Sequence, residues 1–337
     1  MLNDTLQKRF VLDAYPTGNP GSQHFRLEQG PIPRAADGQF VVRAIYFLME
    51  PRLRLMMNAH YEGLDQVMPG TMIGEVIESK HPNFQMGDVV HGLLGWQTYA
   101  LSDGSGHKRN NPGGVVKINR ALGPIEATAS VLGLSGLTSY FAFIEEGKPQ
   151  PGETLVVTTA AGAVGSLVGQ LGKLSGCRVV GVTGSDEKVE FITQELGFDV
   201  GINYRSETDL GAAIRKACPA GVDIYVDIVG GEMADAILKS LKPGGRHIRV
   251  GLTSFYNSQE QGENWRWPEN EPVFVIHRFF DRYDEVLPIL GGWLREGKIR
   301  YKHDVIDGFD NLPSACAGLV AGENIGKRIV RGAPEPK

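Results

Sequence analysis

The stretch that decides the fold is TLVVTTAAGAVGSLVGQLGKLSGCRVVGVT, residues 154–183. It begins with an apolar, β-branched run at 154–159 and continues through the turn AAGAVGS at 160–166 into a helix-forming segment. A second apolar run follows at 178–183. Strand, tight turn, helix and strand in this order predict a βαβ unit. Such a turn brings backbone N–H groups and a helix N-terminus to a pyrophosphate, so the stretch predicts a dinucleotide site.

The turn departs from the usual three-glycine pattern, G-x-G-x-x-G. Ala160 stands at the first position, and Gly162 and Gly165 stand at the other two. A glycine-tolerant turn in any α/β protein is therefore the alternative interpretation. The position of the turn between a strand and a helix favours dinucleotide binding.

The residues after the second strand indicate which dinucleotide is bound. An NAD site uses a carboxylate at the tip of this strand, but the chain has TGS at 183–185. Lys188 follows and could neutralise a 2′-phosphate. The neighbouring Asp186 and Glu187 are explained by stabilisation of a helix N-terminus, with Ser185 as the N-cap. The sequence therefore predicts NADP(H).

Composition excludes several classes of partner. The 337 residues carry a net charge of −5 without a basic block, so we expect no nucleic acid and no anionic membrane surface as a partner. No apolar run approaches the roughly 18 residues of a membrane span, and the N-terminus does not resemble a signal peptide. Cys177, Cys218 and Cys316 are scattered and predict neither disulfides nor a metal knuckle, which fits a reducing cytoplasm.

The first part of the chain, to about residue 125, is β-rich and rich in turns. Its strand candidates are 40–48, 71–78, 84–90, 96–101 and 115–118. Many short strands with Gly and Pro turns predict a partly open barrel. A helical stretch follows from about 124 to 146.

The second part alternates strands with helices. The candidate strands are 154–159, 178–183, 199–203, 222–228, 245–251 and 273–277, with an amphipathic helix at 284–298. Six strands alternating with helices predict a doubly wound, parallel six-stranded sheet. From residue 301 the pattern is β-like again, and we expect this tail to return to the first domain. The predicted division is 1–125 with 302–337 as one domain and 126–301 as the other.

The chain as a whole resembles the zinc-free part of the medium-chain dehydrogenase/reductase superfamily. It is most similar to the leukotriene B4 dehydrogenase and prostaglandin reductase branch, which includes bacterial curcumin reductases and plant double-bond reductases. The stretches that carry the resemblance are GLSGLTSYF at 133–141, the turn at 160–166, GSDEK at 184–188, DIVGG at 227–231 and GLVAGENIGK at 318–327.

The resemblance implies a GroES-like barrel as the catalytic domain and a Rossmann domain for NADP(H). It implies an NADPH-dependent oxidoreductase that reduces the C=C bond of small α,β-unsaturated ketones and aldehydes. It also implies a homodimer joined through the nucleotide-binding domains.

The residues at the zinc-ligand positions of related enzymes predict that no catalytic metal is bound. Zinc-dependent relatives have Gly-His-Glu where this chain has Gly70-Thr71-Met72, and a Cys within a stretch that reads LMEPR at 48–52. The eight histidines are dispersed and show no ligand spacing. An O–H donor is therefore expected to stabilise the substrate oxygen in place of a Lewis acid.

The resemblance assigns roles to individual residues. Tyr256 is the expected catalytic O–H donor, which stabilises the enolate together with a ribose hydroxyl of the cofactor; the alternative is a structural tyrosine in a polar loop. The expected cofactor contacts are Gly162, Ala163 and Val164 at the pyrophosphate, Gly184, Ser185, Lys188 and Tyr204 around the adenosine 2′-phosphate, and Thr138, Gly251 and Asn324. Asn324 has an alternative role as a loop-capping amide.

One position departs from the branch. Where its members usually have Asp-Pro-Tyr-Met-Arg, this chain has EPRLR at 50–54, so Arg52 replaces the aromatic residue. Arg52 is either salt-bridged or solvated, or it lines the substrate pocket with Tyr256 and admits a polar or carboxylate-bearing substrate.

The sequence alone leaves two alternative functions. An NADPH:quinone oxidoreductase of the ζ-crystallin kind would share the fold and the cofactor. A non-catalytic NADPH-binding protein would share the cofactor motifs.

Overall fold

The computed structural model describes residues 6–58, 62–105, 114–257, 274 and 276–336. The described residues form a two-stranded hairpin, a mixed seven-stranded sheet and a parallel five-stranded sheet. Among these residues, no helix combines the length and the apolar character that crossing a membrane requires.

The first part of the chain is built from strands. They are β1 (Leu6–Leu12), β2 (Phe25–Pro31), β3 (Phe40–Leu48), β4 (Thr71–Ser79), β5 (Val89–Leu93), β6 (Tyr99–Ser102) and β7 (Val116–Lys117), with one short helix, α1 (Arg52–Met56). Short 3-10 turns lie at Ser22–His24 and Ile125–Ala129.

The second part alternates helices and strands. Its elements are α2 (Leu134–Tyr140), β8 (Thr154–Thr158), α3 (Ala163–Leu174), β9 (Arg178–Thr183), α4 (Asp186–Glu190), β10 (Val200–Asn203), α5 (Leu210–Ala217), β11 (Val222–Asp227), α6 (Gly231–Leu238), β12 (Leu241–Arg249) and α7 (Tyr283–Arg295). Wider π-helical turns extend α2 and α4 over Phe141–Glu146 and Phe191–Glu195. Further 3-10 turns lie at Thr253–Phe255 and Ile276–Arg282.

The tail contains β13 (His303–Asp307), a 3-10 turn at Phe309–Asn311, α8 (Leu312–Val320) and β14 (Lys327–Arg331). Strand β14 pairs antiparallel with β3 and parallel with β13. The large sheet has the order β13-β14-β3-β4-β5-β7, and β6 also pairs with β3. The expectation that the tail returns to the first sheet is therefore confirmed, while the predicted domain boundaries stay a prediction.

The parallel sheet has the strand order β10-β9-β8-β11-β12. Neighbours along β8 face opposite layers: Leu155 packs in the cluster that includes α3 and α7, and Val156 packs in the cluster that includes α5 and α6. Helices thus cover both faces, which is why the strands are apolar throughout. The predicted fold class, a barrel-like sheet followed by a parallel α/β sheet, is confirmed.

The structure describes residues 274, 276 and 277 of the predicted sixth strand, 273–277, and none of them lies in a strand, so the described part of the parallel sheet has five strands and not six. Phe274 is described, and its N–H donates to the carbonyl oxygen of Arg249 at the end of β12, 2.6 Å away. Ile276 begins a 3-10 turn.

Some boundaries differ from the sequence-based predictions. The strand predicted at 84–90 begins only at Val89, because Gln85 and Asp88 close a turn with the N–H of Gln85 bonded to the Asp88 carboxylate at 2.8 Å. The β1–β2 hairpin lies before the first strand candidate. Charged residues interrupt its apolar alternation, since Lys8 and Arg9 lie in the middle of β1.

Candidate active site

The turn between β8 and α3 forms a cradle of backbone amides. Thr159 has a positive φ of 51°, and Gly162 is the N-cap of α3. A Cβ on Gly165 would lie 2.3 Å from the carbonyl oxygen of Thr159, so only glycine lets the helix begin this close to the strand. The first amides of α3, at Ala163 and Val164, lack intrahelical acceptors and lie at the carboxyl edge of the sheet. This cradle suits a pyrophosphate.

Ala160 fits the first position of the glycine pattern without a special backbone shape. Its side chain is fully buried, and its N–H donates to the carbonyl oxygen of Val182 at 3.1 Å. The positive φ belongs to Thr159 instead. The departure at Ala160 is therefore compatible with the turn.

The C-terminal tail closes one side of this cradle. The N–H of Gly326 donates to the carbonyl oxygen of Ala161 at 2.7 Å, and Gly326 forms a parallel bridge with Gly162. The Asn324 side chain donates to the carbonyl oxygen of Gly326 at 2.7 Å. Asn324 thus stabilises its own loop, as the alternative interpretation states, and its contact with a cofactor stays a prediction.

The predicted adenosine pocket lies at the end of β9. Ser185 caps α4 by accepting a hydrogen bond from the Lys188 N–H at 3.3 Å, which confirms the predicted N-cap. A Cβ on Gly184 would lie 3.3 Å from the Tyr204 ring, so glycine leaves room for that ring. The Asp186 carboxylate accepts from the Asn203 amide at 2.8 Å. Asp186 is therefore satisfied locally.

Two cations meet in this pocket and bond only to neutral oxygens. The Lys188 ammonium donates to the carbonyl oxygen of Gly322. The Arg205 guanidinium lies 5.8 Å from the centre of the Tyr204 ring and donates to the carbonyl oxygen of Ala321 at 3.4 Å. Burial, followed by the charges of Arg205 and Arg328, lowers the pKa of Lys188. Because the positive charges of Lys188 and Arg205 repel each other, an anion bound between them would be stabilised by both.

Thr138 lies on α2, which follows a tight turn and packs against α3. A Cβ on Gly136 would lie 1.9 Å from the carbonyl oxygen of Val131. The hydroxyl of Ser139, next to the buried Thr138, donates to the carbonyl oxygen of Val164 at 3.2 Å. Thr138 therefore lies on the segment that packs against the start of α3.

The loop after β12 carries Gly251 and Tyr256. The N–H of Gly251 donates to the carbonyl oxygen of Asp227 at 3.2 Å, and a Cβ there would lie 2.9 Å from the carbonyl oxygen of Ile228. Tyr256 follows the 3-10 turn Thr253–Phe255 and is partly buried. It lies beyond the carboxyl end of β12, the edge of the sheet where the glycine turn also lies.

Arg52 belongs to a cluster of polar and charged side chains, which we call the Glu50 cluster (Glu50, Arg52, Thr71 and Lys327). The Arg52 Nε donates to the Glu50 carboxylate at 2.9 Å, and its Nη2 donates to the Thr71 hydroxyl at 2.8 Å. The Lys327 ammonium lies 3.7 Å from the other Glu50 oxygen. Arg52 is therefore salt-bridged, as the first interpretation states. Its side chain is 27% exposed, and a role in the substrate pocket stays a prediction.

Burial alone would raise the pKa of Glu50. The charges of Arg52 and Lys327 outweigh burial and hold that pKa at about 2. The carboxylate is therefore ionised at neutral pH and balances one of its two cations. Burial also lowers the pKa of the nearby His91 to about 4, which keeps this imidazole neutral.

The Glu50 cluster brings together the two segments that hold zinc ligands in zinc-dependent relatives. Thr71 replaces the histidine, and its hydroxyl donates to Glu50 at 3.0 Å. Within the described ranges, no three His, Cys, Asp or Glu side chains are grouped so that they could hold a metal ion. All three cysteines of the chain are buried free thiols.

Two protein families match the chain. The family described as "N-terminal domain of oxidoreductase" matches residues 8–109, and the family described as "Zinc-binding dehydrogenase" matches residues 163–269. The chain is 36% identical to the NADPH-dependent curcumin reductase of Escherichia coli, over 96% of each chain. It is also 36% identical to prostaglandin reductase 1 of Bos taurus, over 97% of this chain and 98% of that protein.

The chain belongs to this zinc-free branch of the medium-chain dehydrogenase/reductase superfamily. A solved structure of the branch, CurA from Vibrio vulnificus in complex with NADPH, is 34% identical and superimposes with a TM-score of 0.86. The match covers 97% of this chain and 100% of CurA.

In this NADP-dependent oxidoreductase the predicted site residues stay a prediction, and several side chains of the region were not predicted. Ser185 and Lys188 are joined at the start of α4 and Gly184 lies beside the Tyr204 ring, whereas Arg52 is bonded to Glu50 in the Glu50 cluster. The partners Glu50 and Lys327 and the buried Arg54 were not predicted. The stretch EPRLR contained two of them, but its pattern does not show which charges become buried.

Proposed function

We propose that this NADP(H)-dependent oxidoreductase reduces the C=C bond of α,β-unsaturated ketones and aldehydes (enones and enals). The names of its relatives, a curcumin reductase and a prostaglandin reductase, support this reaction class. The structural support is the arrangement of three predicted sites along one edge of the parallel sheet.

The predicted adenosine pocket follows the carboxyl end of β9, and the glycine turn follows that of β8. The Tyr256 loop follows the carboxyl end of β12, and β11 lies between β8 and β12 in the sheet. From β9 to β12 there are three strand spacings of about 4.8 Å, or roughly 14 Å. A dinucleotide lying across these strand ends would have its adenosine at Lys188 and its reactive ring toward Tyr256. This shared edge is the observation that carries the proposal.

The groups that would hold the cofactor are backbone N–H groups and cationic side chains, which can bind its phosphates. The amides of Ala163 and Val164 at the start of α3 suit the pyrophosphate, because a helix N-terminus attracts anions. Gly162 is the N-cap beside them, and its own N–H donates to the carbonyl oxygen of Thr159 at 2.8 Å. Lys188, with Arg205 beside Tyr204, suits the 2′-phosphate, because both cations bond to carbonyl oxygens and neither is paired with a carboxylate in the part of the chain that the structure describes. When bound, NADPH supplies the hydride that reduces the alkene.

Tyr256 supplies the O–H donor in this proposal. Negative charge grows on the carbonyl oxygen of the substrate as its β-carbon is reduced. A hydroxyl held toward that oxygen stabilises the resulting enolate without a metal. A proton must then reach the α-carbon.

The decisive variant is Tyr256→Phe, which removes one hydroxyl and keeps the ring. We expect turnover of an enone such as 3-nonen-2-one to fall about 100-fold, the effect of losing one oxyanion donor. NADPH affinity, measured by fluorescence titration, should stay unchanged. Tyr46→Phe is the matched control, since the Tyr46 hydroxyl bonds to Glu335 away from the strand ends. Wild-type turnover in Tyr256→Phe would remove Tyr256 from the mechanism.

The reaction class itself is tested with a panel of enones, enals and 1,4-naphthoquinone, each with NADPH and NADH. We expect rapid oxidation of NADPH with the enones and enals. Quinone reduction that exceeds enone reduction would favour the quinone oxidoreductase, and no oxidation with any acceptor would favour a binding protein.

The proposed assembly is a homodimer, as the resemblance implies, in a reducing cytoplasm. Light scattering of the purified protein would show one species of twice the chain mass of 36.7 kDa. A single species at the chain mass would contradict the dimer.

A further inference from the structure

Arg54 is a fully buried arginine with an unusual set of partners. It lies on α1 in the first part of the chain, yet its Nε donates to the side-chain oxygen of Asn257 at 2.9 Å. The same Nε lies 2.9 Å from the carbonyl oxygen of Gly18, and Nη2 donates to the carbonyl oxygen of Pro16 at 2.9 Å. The Asn257 amide in turn donates to the side-chain oxygen of Asn19. Arg54 thus joins the 16–19 loop to the loop after β12.

Within the described ranges, the charge of Arg54 is not balanced by an acid. Among the described residues no carboxylate forms an ion pair with it, and its Nη1 is buried without a hydrogen-bond partner. Burying a cation against neutral oxygens is costly. A hydrophobic side chain would fill this space at a lower cost in free energy. The contacts of Arg54 therefore indicate a role other than packing.

The loop that Arg54 holds is already anchored at its other end. The N–H and the hydroxyl of Ser254 donate to the carbonyl oxygen of Val229, at 3.1 and 2.6 Å. The N–H and the hydroxyl of Thr253 both lie 3.2 Å from the carbonyl oxygen of Ile228. These contacts tie the start of the loop to the end of β11. Tyr256 lies between this anchor and Asn257.

We propose that Arg54 is a positioning residue that holds the Tyr256 hydroxyl over the site by clamping Asn257. We call Arg54, Asn257 and Asn19 the Arg54 clamp. The inference rests on the proposed function, because Tyr256 is the catalytic donor there. The first part of the chain thereby sets the position of a group carried by the second part.

An arginine suits this task better than a lysine. The planar guanidinium directs its N–H groups along fixed directions and reaches oxygens on two segments at once. A lysine ammonium is a single point on a flexible stem, so it would satisfy one segment and release the other.

The test uses variants of Asn257, which is on the accessible side of the clamp and leaves the buried Arg54 in place. Asn257→Ala removes the acceptor, and Asn257→Asp keeps it. Asn311→Ala is the matched control, because its amide bonds only to a local carbonyl, that of Asp307, at 2.8 Å. The measurements are enone turnover, NADPH affinity and hydrogen–deuterium exchange of residues 251–257.

We expect Asn257→Ala to lower kcat about 10- to 100-fold, because a displacement of about 1 Å at a reacting group has an effect of this size. NADPH affinity should change by less than about twofold, and exchange in residues 251–257 should rise. Asn257→Asp should retain most of the turnover, and Asn311→Ala should match the wild type. Arg54→Lys, provided it folds by circular dichroism, should resemble Asn257→Ala.

Wild-type kcat and exchange in Asn257→Ala would overturn the proposal, and so would Asn257→Asp being as impaired as Asn257→Ala. The exchange measurement needs no substrate. If the wild type reduces no enone, the proposed function fails, while unchanged exchange in Asn257→Ala shows separately that the clamp does not order the loop.

Discussion

The predicted adenosine pocket and the Glu50 cluster each contain two cationic side chains, but these side chains have different hydrogen-bond partners. In the Glu50 cluster, Arg52 and Lys327 share a buried carboxylate. In the predicted adenosine pocket, Lys188 and Arg205 bond to the carbonyl oxygens of a tail loop, and neither forms an ion pair with a carboxylate of the described residues.

We propose that the difference separates charges that the protein itself pairs with a carboxylate from charges that bind the phosphate of a ligand. A cation beside its own carboxylate gains little from a further anion. A cation that bonds only to carbonyl oxygens can exchange them for a phosphate at a net gain. Removing a residue from the Glu50 cluster should therefore change stability, and removing one from the adenosine pocket should change cofactor affinity.

The largest expected effect is that of Glu50→Gln, which leaves the buried Lys327 and the partly buried Arg52 without a carboxylate. Breaking a buried ion pair from one side costs about 3–5 kcal/mol, so we expect the free energy of unfolding to fall by that amount in urea titrations. Glu28→Gln is the control, because Glu28 also joins two arginines but at the surface, where such pairs contribute about 0–1 kcal/mol. Equal losses of unfolding free energy in Glu50→Gln and Glu28→Gln would contradict a stabilising role of the Glu50 carboxylate.

The neutral His91 beside the Glu50 cluster predicts a pH effect. Its pKa is lowered from 6.5 to about 4 in the folded protein, so the unfolded chain takes up its proton first as the pH falls. The stability contributed by neutral His91 is complete above pH 6.5 and is lost between 6.5 and 4, by up to about 3 kcal/mol. His91→Gln should therefore lose less stability than the wild type between pH 7 and 4. Equal losses of stability in His91→Gln and the wild type over this pH range would contradict the prediction.

Lys188→Ala should change affinity rather than stability. Losing a charge-assisted hydrogen bond of about 1.5–3 kcal/mol corresponds to roughly 10- to 100-fold weaker NADPH binding. Binding of NADH, which lacks the 2′-phosphate, should hardly change. Lys173→Ala is the matched control, since Lys173 is paired with Asp199 outside the pocket. An equal loss for both cofactors would remove Lys188 from the phosphate site.

Arg205→Ala should show the smallest effect, because the side chain is exposed and its two hydrogen bonds are long, at 3.4 Å each. We expect about three- to fivefold weaker NADPH binding, near the value of a solvated charge contact. Arg215→Ala, at an exposed pair with Asp209, is the control. NADPH affinity equal to that of the wild type would show that Arg205 is only solvated.

Much of the fold was predictable because it depends on local patterns. The apolar runs around residues 154–183 and the glycine turn between them predict the βαβ unit, and the structure has β8, α3 and β9 there. Ser185 is three residues before Lys188 and caps α4 as its type suggests. The hairpin β1–β2 was missed because its charged residues hide the alternation that identifies a strand.

The site was predictable only in part. The sequence by itself determined the glycine turn and the cofactor type, because each depends on neighbouring residues. The role of Tyr256 was inferred from the family resemblance and stays a prediction. Only the tertiary structure decided that Lys327 shares the carboxylate of Glu50 and that Arg54 reaches Asn257. These pairs form because β14 returns to β3 and α1 packs beside the 253–257 loop, and the interactions between their side chains depend on that packing rather than on any repeat along the chain.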